Sequence, residues 1–381
     1  MNRPPLSVLD LSPVPAGGSA GDALRSSIAL AQAAERAGYH RYWVAEHHLA
    51  TGVASSSTPV LVAMIAGATS RIRVGSGAVQ LPITRPFQAA EQFGTVAQVH
   101  PGRIDLGLGR FDLHRILRRR SGGPGRPPPP TRVVDGLELP PPGRVAGDPW
   151  LYGCLAEMLA FDLDAPPPDY GAQVDEILSY LAGTARADGV GGRPLHLTPA
   201  EGAQLEVAVL GSTPGTSAEV AGSRGLTFAV AHHLLPFTVL DTVAAYRAAF
   251  RPGRISEPYV IVSADVVVAE SDERARELAA PYGQWVLEIR QGHGARPYVT
   301  PAQARARHWT AEERAGVADR IDTQVVGSPA TVAARLDTLA RVTGADELMV
   351  TTVTTDPADR VASHELLARE WGLERRAETD S

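Results

Sequence analysis

The sequence predicts an α/β protein of the (β/α)8 TIM-barrel type, and two observations carry this prediction. Short apolar segments alternate with helix-like segments, and eight such strands can be counted. Polar or glycine-rich residues follow directly after the strands, as in Tyr42–Val44 followed by Glu46-His47-His48. Barrel strands are buried and their C-terminal ends carry the active-site loops, so this pattern favours a closed barrel over an open, doubly wound sheet.

The predicted strands are short and mostly apolar. They comprise residues 6–11, 42–47, 71–79, 103–110, 205–210, 226–231, 260–268 and 347–352. The first helix is predicted over Ala23–Ala37, with Asp22 as its N-cap and Gly38 directly after its end. A single long helix is predicted over Asp272–Arg290, after the seventh strand.

Two insertions interrupt the alternation, and the prediction is one domain, residues 1–381, that contains both. Residues 111–170 follow the fourth strand and hold twelve of the 31 prolines. Proline at this density prevents regular helix or sheet, so a long, partly mobile lid is expected there, with one helical piece around residues 151–161. Residues 291–326 form the second insertion, after the helix that follows strand seven. In the glycine-rich segment 182–203, which lies between the two insertions, residues 195–197 are a candidate short strand.

The composition indicates a large hydrophobic core and excludes several classes of partner. Of the 381 residues, 44% are hydrophobic and 20% are charged, and 36 basic against 42 acidic side chains give a formal net charge of −6. No basic amphipathic face is present, so nucleic acid is not an expected partner. The single cysteine, Cys154, fits a reducing cytoplasm, and no apolar stretch is long enough to span a membrane. A cytoplasmic enzyme is therefore expected.

The loop Gly211–Ser217 is a candidate phosphate site. It lies between a predicted strand and a predicted helix and combines hydroxyl side chains with two glycines. Backbone N–H groups and the dipole of the next helix can bind an anion there, although an ordinary turn with hydroxyl caps is the alternative.

Arg110, at the end of strand four, would lie at the same end of a barrel as this loop. Its planar guanidinium suits a phosphate, and the alternative is an ordinary surface arginine. No nucleotide-binding motif of the Gly-Lys-Ser or Gly-x-Gly-x-x-Gly kind is present.

Glycines lie inside two adjacent strands. Positions 75 and 77 belong to strand three, and positions 107 and 109 to strand four. Interior glycines usually mark a bulge or a close approach of a ligand to the backbone. The sequence therefore predicts a flat ligand against these strands.

Histidines follow two predicted strands, His47-His48 after the second and His232-His233 after the sixth. These strand ends share one mouth in a barrel, where a neutral imidazole can donate or accept a proton. Polar capping of the strands is the alternative. A metal site is weakly supported, because adjacent histidines cannot easily share one ion, and no metal is predicted. We predict that His47, His48 and His232 are catalytic.

Several of these segments, in this order, resemble the bacterial luciferase-like flavin monooxygenases. The segments that carry the resemblance are residues 42–48, 72–79, 85–87 and 105–110. Residues 209–212, 217–218 and 228–233 are similar to the branch found in actinobacterial natural-product pathways, so antibiotic biosynthesis is the expected setting. The resemblance covers nearly the whole chain except for about 111–170 and 291–326.

The resemblance implies a (β/α)8 barrel, usually dimeric, that takes reduced FMN from a separate reductase and reacts it with O2. The resulting flavin peroxide then oxygenates a small organic substrate. By position, His47 matches the family's active-site histidine. The segment under the flavin ring, where a non-proline cis peptide is common, corresponds to Ser76, Gly77 and Ala78. The phosphate clamp corresponds to Arg110, Gly211, Ser212, and Thr216 or Ser217.

Two departures from the family affect the expected substrate rather than the fold. Gly109 stands where luciferase itself has a reactive cysteine, so light emission is not implied, and Phe111 stands where a small residue is usual. Two alternatives to the FMN-dependent oxygenase are kept. One is a deazaflavin-dependent oxidoreductase that transfers hydride, and the other is a flavin-binding protein that has lost catalytic activity.

Overall fold

A closed ring of eight parallel strands forms the centre of the computed structural model, which describes residues 3–81, 83–118, 129–148, 150–187 and 191–373. The ring strands are β1 (Leu6–Asp10), β2 (Arg41–Val44), β3 (Arg73–Ser76), β5 (Ile104–Arg110), β10 (Leu205–Gly211), β11 (Thr227–Val230), β12 (Val260–Val268) and β14 (Glu347–Thr351). Each pairs with the next in this order, and β14 pairs again with β1. The predicted (β/α)8 barrel is confirmed.

Helices surround the ring. They are α1 (Ala20–Ala37), α2 (Thr58–Ala68), α3 (Pro86–Val99), α4 (Leu113–Arg118), α5 (Trp150–Met158), α6 (Tyr170–Ala182), α7 (Thr216–Ser223), α8 (Val239–Ala249), α9 (Asp272–Ala279), α10 (Tyr282–Arg290), α11 (Pro301–Ala306), α12 (Ala311–Thr323), α13 (Pro329–Thr343) and α14 (Pro357–Trp371). The remaining strands are β4 (Val79–Leu81), β6 (Arg132–Val134), β7 (Leu137–Leu139), β8 (Arg186–Ala187), β9 (Arg193–Pro194) and β13 (Val325–Gly327).

Side chains alternate between the barrel interior and the helix layer. In β2, for example, Tyr42 and Val44 pack in the outer core, whereas Trp43 packs inside the barrel. The inner cluster is small and apolar and is built from Leu9, Trp43, Ala45, Ala208, Ala229, Ile261 and Met349. The interior is therefore filled with side chains below the mouth, as expected for a barrel of eight strands.

A buried network of charges closes the N-terminal end of the barrel. Arg41 is 4% exposed, and its guanidinium lies 2.9 Å from Asp105 and 3.0 Å from Glu347. The indole N–H of Trp43 donates to the same Asp105 carboxylate at 2.8 Å. Because β2, β5 and β14 each supply one of the charges, this network connects three different parts of the ring.

The third predicted strand, residues 71–79, is two strands. β3 ends at Ser76, the Gly77–Ala78 peptide bond is cis, and the chain resumes as β4, which pairs with β5. The cis bond lies in the segment where the family resemblance implies one.

Three predictions about helices and strands were wrong in detail. Ser19, not Asp22, caps α1; Asp22 is the third residue of the helix and completes a capping box with Ser19. The single helix predicted over Asp272–Arg290 is α9 and α10, which Pro281 separates because its ring cannot continue a helix. The short strand is β9, residues 193–194, rather than residues 195–197, and it pairs with β8.

Both insertions contain more regular structure than the proline content indicated. The first holds α4, α5 and the β6–β7 hairpin, and the second holds α11, α12 and β13. Part of the first insertion, residues 119–128 and 149, lies outside the described residues. None of the described helices is long and apolar enough to cross a membrane.

The charge network at the closed end predicts a large effect of one substitution. Arg41→Ala should lower the free energy of unfolding by about 3–5 kcal/mol, because it leaves the buried Glu347 without its cation and Asp105 with Arg73 alone. Arg25→Ala is the matched control, since Arg25 pairs with Asp22 on the surface with both side chains more than half exposed, and it should cost less than about 1 kcal/mol. Urea denaturation of both variants measures the difference. Equal losses would contradict a structural role for the network.

Candidate active site

The C-terminal ends of β5 and β10 are neighbours, since Gly109 lies opposite Leu210 in the sheet. Arg110 therefore reaches the loop that follows β10, where its guanidinium lies 3.5 Å from the hydroxyl of Thr216. Its only ion pair among the described residues is a long one, 3.9 Å to Asp112, and its side chain is 34% exposed. The guanidinium is thus near the first turn of α7 and weakly engaged by the protein.

The loop after β10 is held in place by its own contacts. The hydroxyl of Thr238 donates to the carbonyl of Ser212 at 2.6 Å. A Cβ atom at position 211 would lie 3.0 Å from Cβ of Ser217 and 3.1 Å from the ring of Phe228, so glycine permits this close return of the chain. The structure therefore brings together the residues predicted for a phosphate clamp, which are Arg110, Gly211, Ser212, Thr216 and Ser217.

Three of the four interior glycines of strands three and four lie against other parts of the protein. A Cβ atom at Gly75 would lie 2.5 Å from the carbonyl oxygen of Asp105, and one at Gly77 would lie 2.8 Å from Leu9. A Cβ at Gly107 would overlap the backbone of Ser76. Neighbouring protein atoms are sufficient to account for these three glycines. The flat ligand therefore stays a prediction that the glycines alone do not support.

Ser76 uses its hydroxyl within the sheet. The hydroxyl donates to the carbonyl of Gly107 and accepts from the N–H of Gly107, both at 3.0 Å. Ser76 is fully buried, whereas Gly77 and Ala78 are half-buried. The Gly77–Ala78 backbone is thus the accessible part of this predicted segment.

His47 and His48 point in opposite directions, as strand alternation predicts. Nε2 of His48 lies 3.1 Å from the carboxylate of Glu46, on the outer side of the strand. His47 follows the inward series of Trp43 and Ala45, and its buried Nδ1 has no hydrogen-bond partner among the described residues. Burial, with a smaller effect of His48, lowers the pKa of His47 to about 4. His47 is therefore a neutral imidazole at the mouth.

The second histidine pair also divides between two directions. The fully buried His232 lines a cavity of about 470 Å³ outside the ring, between the β6–β7 hairpin and α13. His233 is half-buried instead, and its Nδ1 lies 2.5 Å from the hydroxyl of Ser263 in β12. The placement favours His233 over the predicted His232 as the residue at the mouth. β11 ends at Val230 and the chain turns at residues 232–234, so the sequence carried no signal that separates the two histidines.

His47 and His233 face each other across the mouth. They follow β2 and β11, which are four strands apart in a ring of eight and therefore opposite. The charge of a protonated His47 is the smallest of the effects on the pKa of His233, and it lowers that pKa. Burial is the main cause that lowers the pKa of His233 to about 4.

A buried ionic cluster lies beside His233 and was not anticipated. Asp265 of β12 accepts hydrogen bonds from Tyr282 and, at 3.1 Å, from Arg320 of α12. Arg320 also donates to the Tyr282 oxygen at 2.6 Å. The only sequence signal was a carboxylate within the apolar run of β12, because its partners belong to α10 and α12, far along the chain. Within the described ranges, no group of three or more His, Cys, Asp and Glu side chains could hold a metal ion.

Comparison with known proteins decides the family. The luciferase-like monooxygenase family model matches residues 5–130 and 165–347. A luciferase-like monooxygenase of Escherichia coli strain K12 is 35% identical over 362 residues, which cover 94% of this chain and 95% of the relative. The chain belongs to the luciferase-like monooxygenase family.

Solved structures of similar proteins agree with this membership. The apo structure of MsnO8 has a TM-score of 0.75 and 29% sequence identity, and it covers 98% of this chain and 99% of its own. The oxygenating constituent of 3,6-diketocamphane monooxygenase from Pseudomonas putida, solved with FMN, has a TM-score of 0.62. It is 19% identical and covers 96% of this chain and 97% of its own, so it shows the fold alone.

The buried histidines of this family member predict how its stability depends on pH. The pKa values of His47, His232 and His233 are lowered to about 4, and that of His364 to about 3, from an ordinary 6.5. The unfolded chain therefore binds more protons than the folded protein below pH 6.5. Stability should be complete above that pH and fall as the pH drops towards 4, by roughly 1.4 kcal/mol per pH unit for each histidine.

Thermal unfolding at a series of pH values measures this dependence. His364→Gln should make the fall shallower, since it removes one titrating group on the outer side of the barrel, where His364 packs against Tyr39. An unfolding temperature that stays constant between pH 7 and 4.5 would contradict the assignment of buried, neutral histidines.

Proposed function

We propose that this protein is a monooxygenase that uses reduced FMN, supplied by a separate flavin reductase, and O2 to oxygenate a small organic molecule. The observation that carries the proposal is the pairing of Arg110 with the first turn of α7, at the ends of the neighbouring strands β5 and β10. Membership of the luciferase-like monooxygenase family supports oxygenation as the type of reaction.

The residues at this position suit the phosphate of FMN. Arg110 supplies a permanent positive charge that the protein neutralises only weakly, with its nearest carboxylate oxygen 3.9 Å away. The first N–H groups of α7 have no partner within their own helix, and the hydroxyls of Thr216 and Ser217 lie beside them. A dianionic phosphate would thus meet a cation, a helix N-terminus and hydroxyl donors together.

The rest of the mouth suits the chemistry that reduced FMN supplies. Bound reduced FMN provides the two electrons with which one atom of O2 becomes water while the other enters the substrate. The protein's own part is to bind the cofactor through Arg110 and α7 and to exclude water with the apolar barrel interior. His47 can hold or move a proton at its unpartnered Nδ1, beside the reacting groups.

Rapid mixing tests this function directly. The purified protein is loaded anaerobically with reduced FMN and mixed with oxygenated buffer while flavin absorbance is followed. Oxidised FMN should appear more slowly than from free reduced FMN, and with 18O2 the heavy oxygen should enter the product. Oxidation as fast as in free solution, or no binding, would contradict the proposal. Binding of a reduced deazaflavin, with hydride transfer in the absence of O2, would support the deazaflavin alternative.

The proposed clamp predicts the effect of removing its cation. Arg110→Ala should weaken the binding of reduced FMN by about 1.5–3 kcal/mol, the range for a hydrogen bond to a charged group. Arg369→Ala, which removes an exposed arginine from the outer helix α14, is the matched control and should bind FMN as the wild type does. Anaerobic fluorescence titration measures both. Equal affinities of the two variants would show that the clamp is wrongly assigned.

We also propose that the protein is a homodimer that associates through α2 and the start of α3. Val60, Met64 and Phe87 are 58%, 47% and 44% exposed, although all three are large and apolar. Val60, Met64 and the small Gly67 lie along one face of α2, and the space beside Gly67 is open. An exposed apolar face with a small residue allows another helix to approach closely.

Met64→Glu tests the dimer. A charge on this face should shift the protein to the monomer in light scattering after gel filtration, because the carboxylate would lose water on association. Val133→Glu is the control, since Val133 is 64% exposed on the separate β6–β7 hairpin and should leave the mass unchanged. A wild-type monomer, or a dimer that survives Met64→Glu, would contradict the proposal.

A further inference from the structure

The wall of the mouth formed by the ends of β11, β12 and β14 carries polar atoms that the proposed clamp does not use. β11 pairs with β10, so this wall begins beside the clamp and continues around the ring to β14, which lies four strands from β5. Thr351 ends β14 in the inward series of Glu347 and Met349, and its buried hydroxyl has no hydrogen-bond partner among the described residues. The buried hydroxyl of Tyr298 and Nδ1 of His47 also have none. Buried polar atoms of proteins usually have hydrogen-bond partners, so we expect a bound ligand to supply the partners of these three atoms.

His233 on this wall is held in one tautomer. The Ser263 hydroxyl donates its hydrogen to the carbonyl of Val230 at 3.2 Å. Ser263 therefore accepts the hydrogen bond that connects it to Nδ1 of His233, and the neutral ring carries its proton on Nδ1. Nε2 of His233 is then a hydrogen-bond acceptor. Among the described residues Nε2 has no partner, and the residue is half-buried rather than enclosed.

The same wall carries no uncompensated charge. The carboxylate of Asp265 is paired with Arg320, and both lie within the fold. His47 and His233 are neutral imidazoles near pH 7, because burial lowers the pKa of each to about 4. A substrate that brought a formal charge to this wall would lose water without gaining a counterion.

We propose that the mouth takes an uncharged substrate whose O–H or N–H group donates a hydrogen bond to Nε2 of His233. His233 is then a specificity-determining residue that contacts the substrate, and Ser263 is a positioning residue that acts through it. The inference rests on the proposed function, since it places the substrate on the wall that adjoins the flavin clamp. A substrate without a donor would leave Nε2 unpaired on binding and would be disfavoured.

The acceptor should remain available across the neutral pH range. The groups that face His233 are His47 after β2, Asp265 of β12 and Arg320 of α12. Of these, Asp265 raises the pKa of His233, whereas Arg320 and His47 lower it, and burial has the largest effect. Selection of a donor should therefore be constant from pH 6 to pH 8 and be lost only when the pH falls towards 4.

The test uses the apoprotein with isotope-labelled histidine, whose ring carbon shifts report tautomer and charge. His233→Asn identifies the His233 signal by its loss. The wild-type signal should be that of a neutral ring protonated at Nδ1, and Ser263→Ala should change it to a mixture of tautomers. A wild-type ring protonated at Nε2, or one charged at pH 7, would overturn the inference.

Phenol and anisole then serve as matched probes, because they have similar shapes and only phenol has an O–H donor. Phenol should shift the His233 signal and bind about 2- to 12-fold more weakly to His233→Asn, the range for one neutral hydrogen bond. Anisole should bind wild type and variant equally. His196→Asn, which changes an exposed histidine, is the control and should bind both probes as the wild type does. Equal responses to phenol and anisole in the wild type would overturn the inference.

A titration with reduced FMN separates this inference from the proposed function. His233→Asn should bind reduced FMN as tightly as the wild type, since His233 bonds to Ser263 and to none of the clamp residues. Weaker FMN binding by this variant, with an unchanged unfolding temperature, would overturn the assignment of His233 to the substrate wall. Failure of the wild type to bind reduced FMN would refute the proposed function, whereas the response of His233 to phenol would still be measured in the apoprotein.

Discussion

Closure of the ring by parallel pairing is the constraint on which the rest of the structure depends. Pairing of β14 with β1 and of β10 with β5 brings all eight C-terminal strand ends to one mouth. It makes Arg110 a neighbour of α7, and it sets His47 opposite His233, although these residues are far apart in sequence. At the other end, Arg41 and its carboxylates seal the barrel, so chemistry is confined to the mouth.

The mouth then divides into two walls with different electrostatics. The wall of β5 and β10 carries a cation and a helix N-terminus, which together favour an anion. The adjoining wall of β11, β12 and β14 carries the neutral imidazole of His233, hydroxyls and an ion pair that is already compensated. A charged cofactor and an uncharged substrate would each meet the wall that matches them, with the apolar barrel core beneath both.

The alternation of eight short apolar segments with helix-like segments was sufficient to predict the barrel, because buried parallel strands are apolar runs whatever their partners are. Features that depend on distant partners were not predictable in this way. The space around Gly75, for example, is filled by Asp105, which no local pattern shows. Pro281, which separates α9 from α10, was by contrast a local signal. The residues predicted for the clamp do lie together in the structure. Strand alternation could not decide between His232 and His233, because β11 ends at Val230 and the chain turns directly after it. Arg320 could not be found, since its partner Asp265 is 55 residues away.

A crystal structure of the protein with FMN bound under anaerobic conditions tests the central claim most directly. The account predicts that the phosphate lies between the Arg110 guanidinium and the first turn of α7, and that the wall formed by His233, Ser263 and Thr351 stays open to substrate. A phosphate bound elsewhere on the molecule, or an isoalloxazine ring packed against Ser263 and Thr351, would contradict the division of the mouth into a cofactor wall and a substrate wall.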